Sequence, residues 1–385
     1  MRILYMVFHF PPISGGGVIV VTNIANTLAE MDHEITVITP DVEWKGETYE
    51  PKLNSNIEVV RTVTPSKNNI KIAARRCYKN MKNKGVEIGS KKKYDFVFSI
   101  FHPFHLAPKA AVACAKELQI PSIIKIDDAV YGKSSGLKSI QRKIEKIYNS
   151  KTLQQASKVL VPNEYTKSLV KDYYNVKEEN MSIVPNGVDL KRFSTKHKIK
   201  KQIIFSGVMY HHRGLDVLIE ASPKIVEKYP DVEIILLGNG PELENLKKTV
   251  KGMKLGSNIK FRGWINHDEI PAILLESSIS IGPLRSTTVT KNALPIKALE
   301  YLAASLPIIA MEETLPADVL IDGKNGFFVH NSSELAEKII FLLDNHDKIE
   351  EFGINSKSMA EKFDWKNIAN LIIDEYAKIS KFSEE

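Results

Sequence analysis

The chain has 385 residues, 43% apolar and 26% charged. It is long for one ordinary domain and suits two of roughly 190 residues, each able to bury a core. This composition excludes bulk disorder. Neither a spanning helix nor secretion is expected: no window of about 18 residues is uninterruptedly apolar, and Met1-Arg2-Ile3-Leu4-Tyr5 enters a strand pattern without a signal-like apolar stretch. Basic residues exceed acidic ones by seven, yet residues 67–93 alone hold ten basic residues against Glu87, a net +9, so the remainder sums to −2. Cys77 and Cys114 have neither CxxC spacing nor neighbouring histidines, so no disulfide framework or zinc site is expected, and a cytoplasmic protein is.

Short β-branched runs alternate with helix-period segments, the pattern of parallel sheets with crossover helices. Strands are predicted at residues 3–8, 34–39, 57–63, 96–99, 122–126 and 159–161, and the alternation restarts at 203–206, 232–237, 259–262, 279–281, 308–310 and 326–329. The fold class is therefore α/β, with two doubly wound domains.

The first strand runs into His9-Phe10-Pro11-Pro12-Ile13-Ser14-Gly15-Gly16-Gly17. Glycines between a strand and a helix let backbone N–H groups approach an anion, and phosphate is the chemical suggestion. From Ile70, apolar residues recur at Ala73, Ala74, Cys77 and Met81, while Lys67, Lys71, Arg75 and Lys79 form an i, i+4 row. An amphipathic basic helix is predicted, with an anionic membrane surface as its expected partner through residues 67–93. Nucleic acid is not expected, because the stripe lacks interleaved aromatics. Phe101-His102-Pro103-Phe104-His105 and Asp127-Asp128 follow the fourth and fifth strands, at the edge where α/β ligands bind. Pro185-Asn186-Gly187-Val188-Asp189 marks the domain boundary. In the second half, Arg213 ends a loop before a helix, where its paired donors suit a diphosphate. Asn292-Ala293-Leu294-Pro295 opens another helix that carries Lys297 and Glu300. Gly238-Asn239-Gly240 follows a strand but lacks the third glycine of a dinucleotide fingerprint.

Taken in order, Pro11-Pro12-Ile13-Ser14-Gly15-Gly16, the Pro185–Asp189 connection with Phe193, Arg213-Gly214, Gly238-Asn239-Gly240-Pro241, Glu300-Tyr301 and Phe363-Asp364-Trp365 resemble the retaining family-4-like, or group 1, glycosyltransferases of the GT-B fold. The resemblance covers nearly the whole chain. It implies two Rossmann-like domains with a cleft between them: residues 1–189 on the acceptor side, 190–362 binding a nucleotide sugar, and 363–385 as a helix packing back on the first domain. It further implies transfer of a sugar from a nucleoside diphosphate to a hydroxyl of a glycan or lipid-linked acceptor, in glycolipid or cell-surface glycan synthesis; the cysteine usage and the basic segment 67–93 add the expectation of a cytoplasmic protein peripheral to the membrane. Gly15, Gly16, Arg213, Asn292, Ala293, Leu294, Lys297 and Glu300 then bind the donor, and His102, His105 and Asp128 are the catalytic candidates. No cofactor is implied, and with no Asp-x-Asp in the chain no essential metal is expected.

Two positions depart from the family pattern. Val208 stands where an arginine is common, with Arg213 in place of a lysine, and Asn292 replaces the first glutamate of Glu-x7-Glu. A nucleotide-sugar epimerase or hydrolase of the same fold, or a catalytically silent binding subunit, are the alternative readings.

Overall fold

In the computed structural model the described residues are 1–64, 68–103, 105–127, 137–194, 200–287 and 290–382. The chain divides into two compact units: unit 1 is Met1–Asn186 together with Trp365–Glu385, and unit 2 is Gly187–Asp364. Among the described residues no helix is long and apolar enough to cross a membrane.

Unit 1 holds a parallel sheet of seven strands, β1 (Arg2–Met6), β2 (Glu34–Pro40), β3 (Ile57–Thr62), β4 (Phe96–Phe101), β5 (Ser122–Ile126), β6 (Lys158–Val161) and β7 (Met181–Ile183), in the order β3-β2-β1-β4-β5-β6-β7. Helices α1 (Gly16–Glu30), α2 (Ile70–Arg76), α3 (Tyr78–Lys91), α4 (Ala107–Leu118), α5 (Leu137–Gln155) and α6 (Glu164–Tyr174) connect the strands. Inner strands are covered on both faces, which is why Ile3-Leu4-Tyr5-Met6 is an unbroken apolar run, each residue 0% exposed. The sequence reading lacks β7, a three-residue strand at the sheet edge with one buried side chain. It also predicts one basic helix where the chain forms two, α2 and α3, meeting at Cys77. The expected apolar row is nevertheless inward: Ala73, Ala74, Cys77 and Met81 are all core residues.

Unit 2 repeats the plan with β8 (Gln202–Ser206), β9 (Glu233–Leu237), β10 (Ile259–Gly263), β11 (Ile279–Ile281), β12 (Ile308–Met311) and β13 (Gly326–Val329), in the order β10-β9-β8-β11-β12-β13. Its helices are α7 (Leu215–Lys228), α8 (Leu243–Gly252), α9 (Ile270–Leu275), α10 (Ile296–Ala303), α11 (Ser332–Asp344) and α12 (His346–Ala360). The strand order reverses between β1 and β4 in unit 1 and between β8 and β11 in unit 2. At such a switch point neighbouring loops diverge and open a crevice at the carboxyl ends of the strands. The described loop residues there are 7–15, 102–103 and 105–106 in unit 1, and 207–214, 282–287 and 290–295 in unit 2.

The last helix, α13 (Trp365–Phe382), belongs to unit 1, where it packs on α1. Trp365, Ile368, Ala369 and Ile372 are buried at an i, i+3, i+4, i+7 spacing. Tyr376 stacks on Phe96 with ring centroids 4.8 Å apart, and the Glu375 carboxylate accepts from Ser182 Oγ at 2.7 Å.

Candidate functional site

In unit 2 the loop after β8 is locked against the turn after β9. Gly207 N–H donates to Leu237 O (3.0 Å), Met209 N–H to Asn239 O (2.9 Å), and Met209 O accepts from Glu242 N–H (3.1 Å). A Cβ on Gly238 (φ +118°) would lie 2.1 Å from Gly207 O, and one on Gly240 2.6 Å from Met209 N. The two glycines are a joint between neighbouring loops. Val208, on that loop, is 48% exposed. Arg213 ends a short turn whose backbone is clamped from the other side of the switch point: Leu284 N–H donates to Arg213 O (2.9 Å), and at Gly214 (φ +71°) a Cβ would come within 2.7 Å of the Leu284 carbonyl.

Arg213 and Lys297 line one cleft with Gly207, Pro283 and Pro295, so two cations meet at the switch point. The loop before α10 offers only part of its backbone. Asn292 (φ +47°) donates its N–H to Glu313 O (2.7 Å) and Ala293 to Thr314 O (3.1 Å), whereas the N–H groups of Leu294, Ile296 and Lys297 have no acceptor among the described residues. Orphan amides at a helix start, beside two cations, suit an anion.

Glu300, one turn into α10, is buried. Lys297 Nζ lies 2.9 Å from Oε2 and His267 Nε2 lies 3.0 Å from Oε1. On its far side the His267 ring meets Arg192 Nη1 at 2.8 Å from Nδ1. Arginine only donates, so Nδ1 accepts and Nε2 carries the proton given to Glu300. Burial alone would raise the Glu300 carboxyl, but the Lys297 charge and the His267 hydrogen bond reverse this and hold it at about 2. Glu300 is thus an anion at neutral pH. Behind it, Tyr301 Oη accepts from Ser206 N–H at 2.7 Å, tying α10 to β8. His267 and Arg192 are not among the sequence candidates; a single histidine and an arginine 75 positions apart carry no motif.

In unit 1, Gly15 (φ +144°) caps α1, and a Cβ on Gly15, Gly16 or Gly17 would meet nothing within 4 Å. Gly17 lines a small cavity with His9, His102, His105 and Asp127. The sequence picked out His102 and His105 there, with Asp127 of the Asp127-Asp128 pair; the structure adds His9. His102 stacks on His105 at 4.1 Å between centroids, and His9 meets His105 edge-on at 4.6 Å. Burial lowers all three imidazoles: His9 to about 4, with help from His102, and His105 well below its usual value, with help from His102 and His9. The cluster is therefore neutral at pH 7 and able to accept protons or hydrogen bonds. Asp127 Oδ1 accepts from Lys125 Nζ at 2.5 Å, and Lys125, fully buried, also donates to Asn186 Oδ1 at 2.6 Å. Asp127 Oδ2 has no partner among the described residues. Asp128 lies outside the described residues.

Of the basic row, Lys67 lies outside the described residues, as do the side chains of Lys71 and Arg75; Lys79 is exposed. Part of the surrounding charge is paired: Lys82 with Glu117 (2.6 Å), Lys84 and Lys91 with Glu87 (2.9 and 3.1 Å), and Lys92 with Glu34 (2.8 Å).

Comparison with known proteins agrees with this division. Residues 14–192 match the model described as Glycosyltransferase Family 4, and residues 188–359 match Glycosyl transferases group 1. The alpha-monoglucosyldiacylglycerol synthase of Acholeplasma laidlawii is 23% identical over 99% of each chain. The phosphatidyl-myo-inositol mannosyltransferase of Mycobacterium leprae is 26% identical over 51% of this chain and 53% of that one. Among solved structures, Anabaena HepE in complex with UDP superposes with a TM-score of 0.75 at 15% identity, covering 98% of this chain and all of that one.

Proposed function

The chain belongs to the family-4-like, group 1 glycosyltransferases of the GT-B fold, and from that premise we propose that it moves a hexose, with retention at C1, from a nucleoside diphosphate to a hydroxyl of a lipid-linked acceptor. The observation that carries the donor half is the meeting of Arg213 and Lys297 with the acceptor-less amides of Leu294, Ile296 and Lys297 at one switch point. As the bond from C1 to the diphosphate oxygen breaks, negative charge grows on that oxygen, and preorganised cations and N–H groups stabilise it more than they stabilise the bound donor. In unit 1, Gly15 and Gly16 offer open backbone suited to an anionic donor group. The neutral His102 faces the reacting sugar or takes the acceptor proton, with His105 behind it and Asp128 as a further acceptor-side group. The reaction is metal-independent in this reading, because side-chain cations take the neutralising role.

Both curated relatives named above carry lipids in their names, which supports a lipid-linked acceptor. A UDP complex among the structural neighbours supports a nucleotide donor. The exposed Lys79 and its basic neighbours in sequence support reversible attachment of unit 1 to an anionic cytoplasmic membrane face. A thermal-shift panel of UDP, GDP, ADP and dTDP sugars tests the donor half, since a ligand that binds the folded form alone raises stability by mass action. The cognate donor with extracted lipids, in EDTA, should then give a glycolipid of retained configuration. Epimerised or hydrolysed donor without acceptor product would refute transfer. Binding without turnover would make the chain a silent subunit. Co-sedimentation with anionic but not neutral vesicles, lost in Lys71→Gln, Arg75→Gln, Lys79→Gln, tests attachment.

A further inference from the structure

A cavity of about 610 Å³ in unit 1 lies outside the machinery described so far. One wall is the α4 face bearing Lys109, Val112, Ala113 and Lys116, and the other the α5 face bearing Tyr148, Lys151 and Thr152. It extends to Ser122 and Ser157, at the amino ends of β5 and β6, the sheet edge opposite the histidine loop. Among the described residues that line it none is acidic, while three are lysines. None of the three has an ion pair among the described residues, whereas Glu117, next to Lys116, is engaged by Lys82 at 2.6 Å. The Lys109 ammonium instead rests on two aromatic faces, 4.4 Å from the Tyr148 centroid and 5.1 Å from that of Tyr78. Ring faces supply part of the negative field an ammonium lacks when no carboxylate is present.

Three positive charges line this one cavity, Lys109 half-buried and Lys116 and Lys151 exposed, and they repel one another unless an anion joins them. A single carboxylate would leave most of that charge unbalanced; a phosphate monoester or diphosphate, at about two negative charges or more, matches it. The volume exceeds what a phosphate group fills and admits an attached hydroxylated body of small-ligand size. We propose that this cavity is a binding site for a phosphate-bearing small molecule, held by Lys109, Lys116 and Lys151. The inference rests on unit 1 alone and does not depend on the transfer reading.

The test titrates inorganic pyrophosphate calorimetrically into the full chain. Arg213→Ala with Lys297→Ala removes the cations of unit 2 and serves as background. In it pyrophosphate should still bind, and adding Lys109→Gln, Lys116→Gln and Lys151→Gln should weaken binding by about tenfold or more, the size of one lost charge-assisted hydrogen bond. Arginine at the same three positions should retain it, which separates lost charge from lost folding. Phosphatidylcholine vesicles with and without phosphatidic acid identify the source: displacement of pyrophosphate only by the former assigns a lipid headgroup, and no displacement a soluble phosphate. Equal affinity in the glutamine variant and its background, or no binding of either probe to that background, overturns the proposal. If the donor reading alone is wrong, the background changes leave pyrophosphate binding as in the wild type, and the dependence on the three lysines persists.

Discussion

Glu300→Gln preserves shape and removes the one charge shared by Lys297 (2.9 Å) and His267 (3.0 Å). The carboxyl is held at about 2, against 4.5 for a free glutamate. At about 1.36 kcal/mol per pH unit, that difference corresponds to about 3 kcal/mol of stability. Because the folded value lies below the unfolded one, the contribution is complete above about pH 4.5 and is lost as pH falls toward 2; at pH 3.5 roughly a third of it has gone. Urea unfolding reads this through Trp264, the sole tryptophan of unit 2, once Trp44 and Trp365 are replaced by phenylalanine in both proteins. The variant should be less stable by about 3 kcal/mol at pH 7 and by about 2 kcal/mol at pH 3.5. A difference below about 0.5 kcal/mol at pH 7, or one of equal size at both pH values, refutes the view that Glu300 is a buried anion held by its two partners.

Arg213→Ala should weaken nucleoside diphosphate binding about tenfold or more without moving the unfolding midpoint, measured by calorimetry and urea titration; unchanged affinity removes it from the site. His102→Ala should lower kcat more than it raises the donor KM. Because burial lowers the three imidazoles, the wild-type kcat should persist as pH falls below 6.5, and a loss centred at 6.5 or above would show that a solvent-like histidine controls the step. Gly238→Ala forces a Cβ onto Gly207 O and a strained φ, so unit 2 should lose about 3 kcal/mol and nucleotide affinity together; a wild-type urea curve refutes the joint. Lys125→Met leaves the Asp127 carboxylate and the Asn186 amide without their shared donor, and should destabilise unit 1 by about 3 kcal/mol, as read by Trp44 and Trp365 fluorescence.

Strands of a buried parallel sheet announce themselves, because burial on both faces demands continuous apolar runs; the twelve predicted strands lie where the sheets have them. β7 escaped because an edge strand of three residues needs only Met181 inside. The apolar row at Ala73, Ala74, Cys77 and Met81 was equally legible, but the break at Cys77 was not, since no proline or glycine marks it. At the candidate site, side chains on motif loops could be read from spacing: Arg213, Lys297, His102 and His105 all stand beside switch points. Partners brought from distant segments could not, and His267 and Arg192 are of this kind; Lys125, two residues from Asp127, escaped because a single lysine inside a buried strand carries no motif. Nor does a sequence reveal which amides are already engaged. Asn292 and Ala293 share a loop with Leu294, yet only the first two meet carbonyls of the Glu313-Thr314 turn.

The return of α13 to unit 1 bears on the order in which the molecule is made. Unit 2 is one continuous stretch, Gly187–Asp364, and can close its core as soon as that stretch leaves the ribosome. Unit 1, although begun first, waits for Trp365, Ile368, Ala369 and Ile372 to cover α1 and for Tyr376 to reach Phe96. Until then a nascent chain carries exposed apolar surface on its earlier half. A released chain truncated after Asp364 should therefore show a protease-resistant second half beside a sensitive first half.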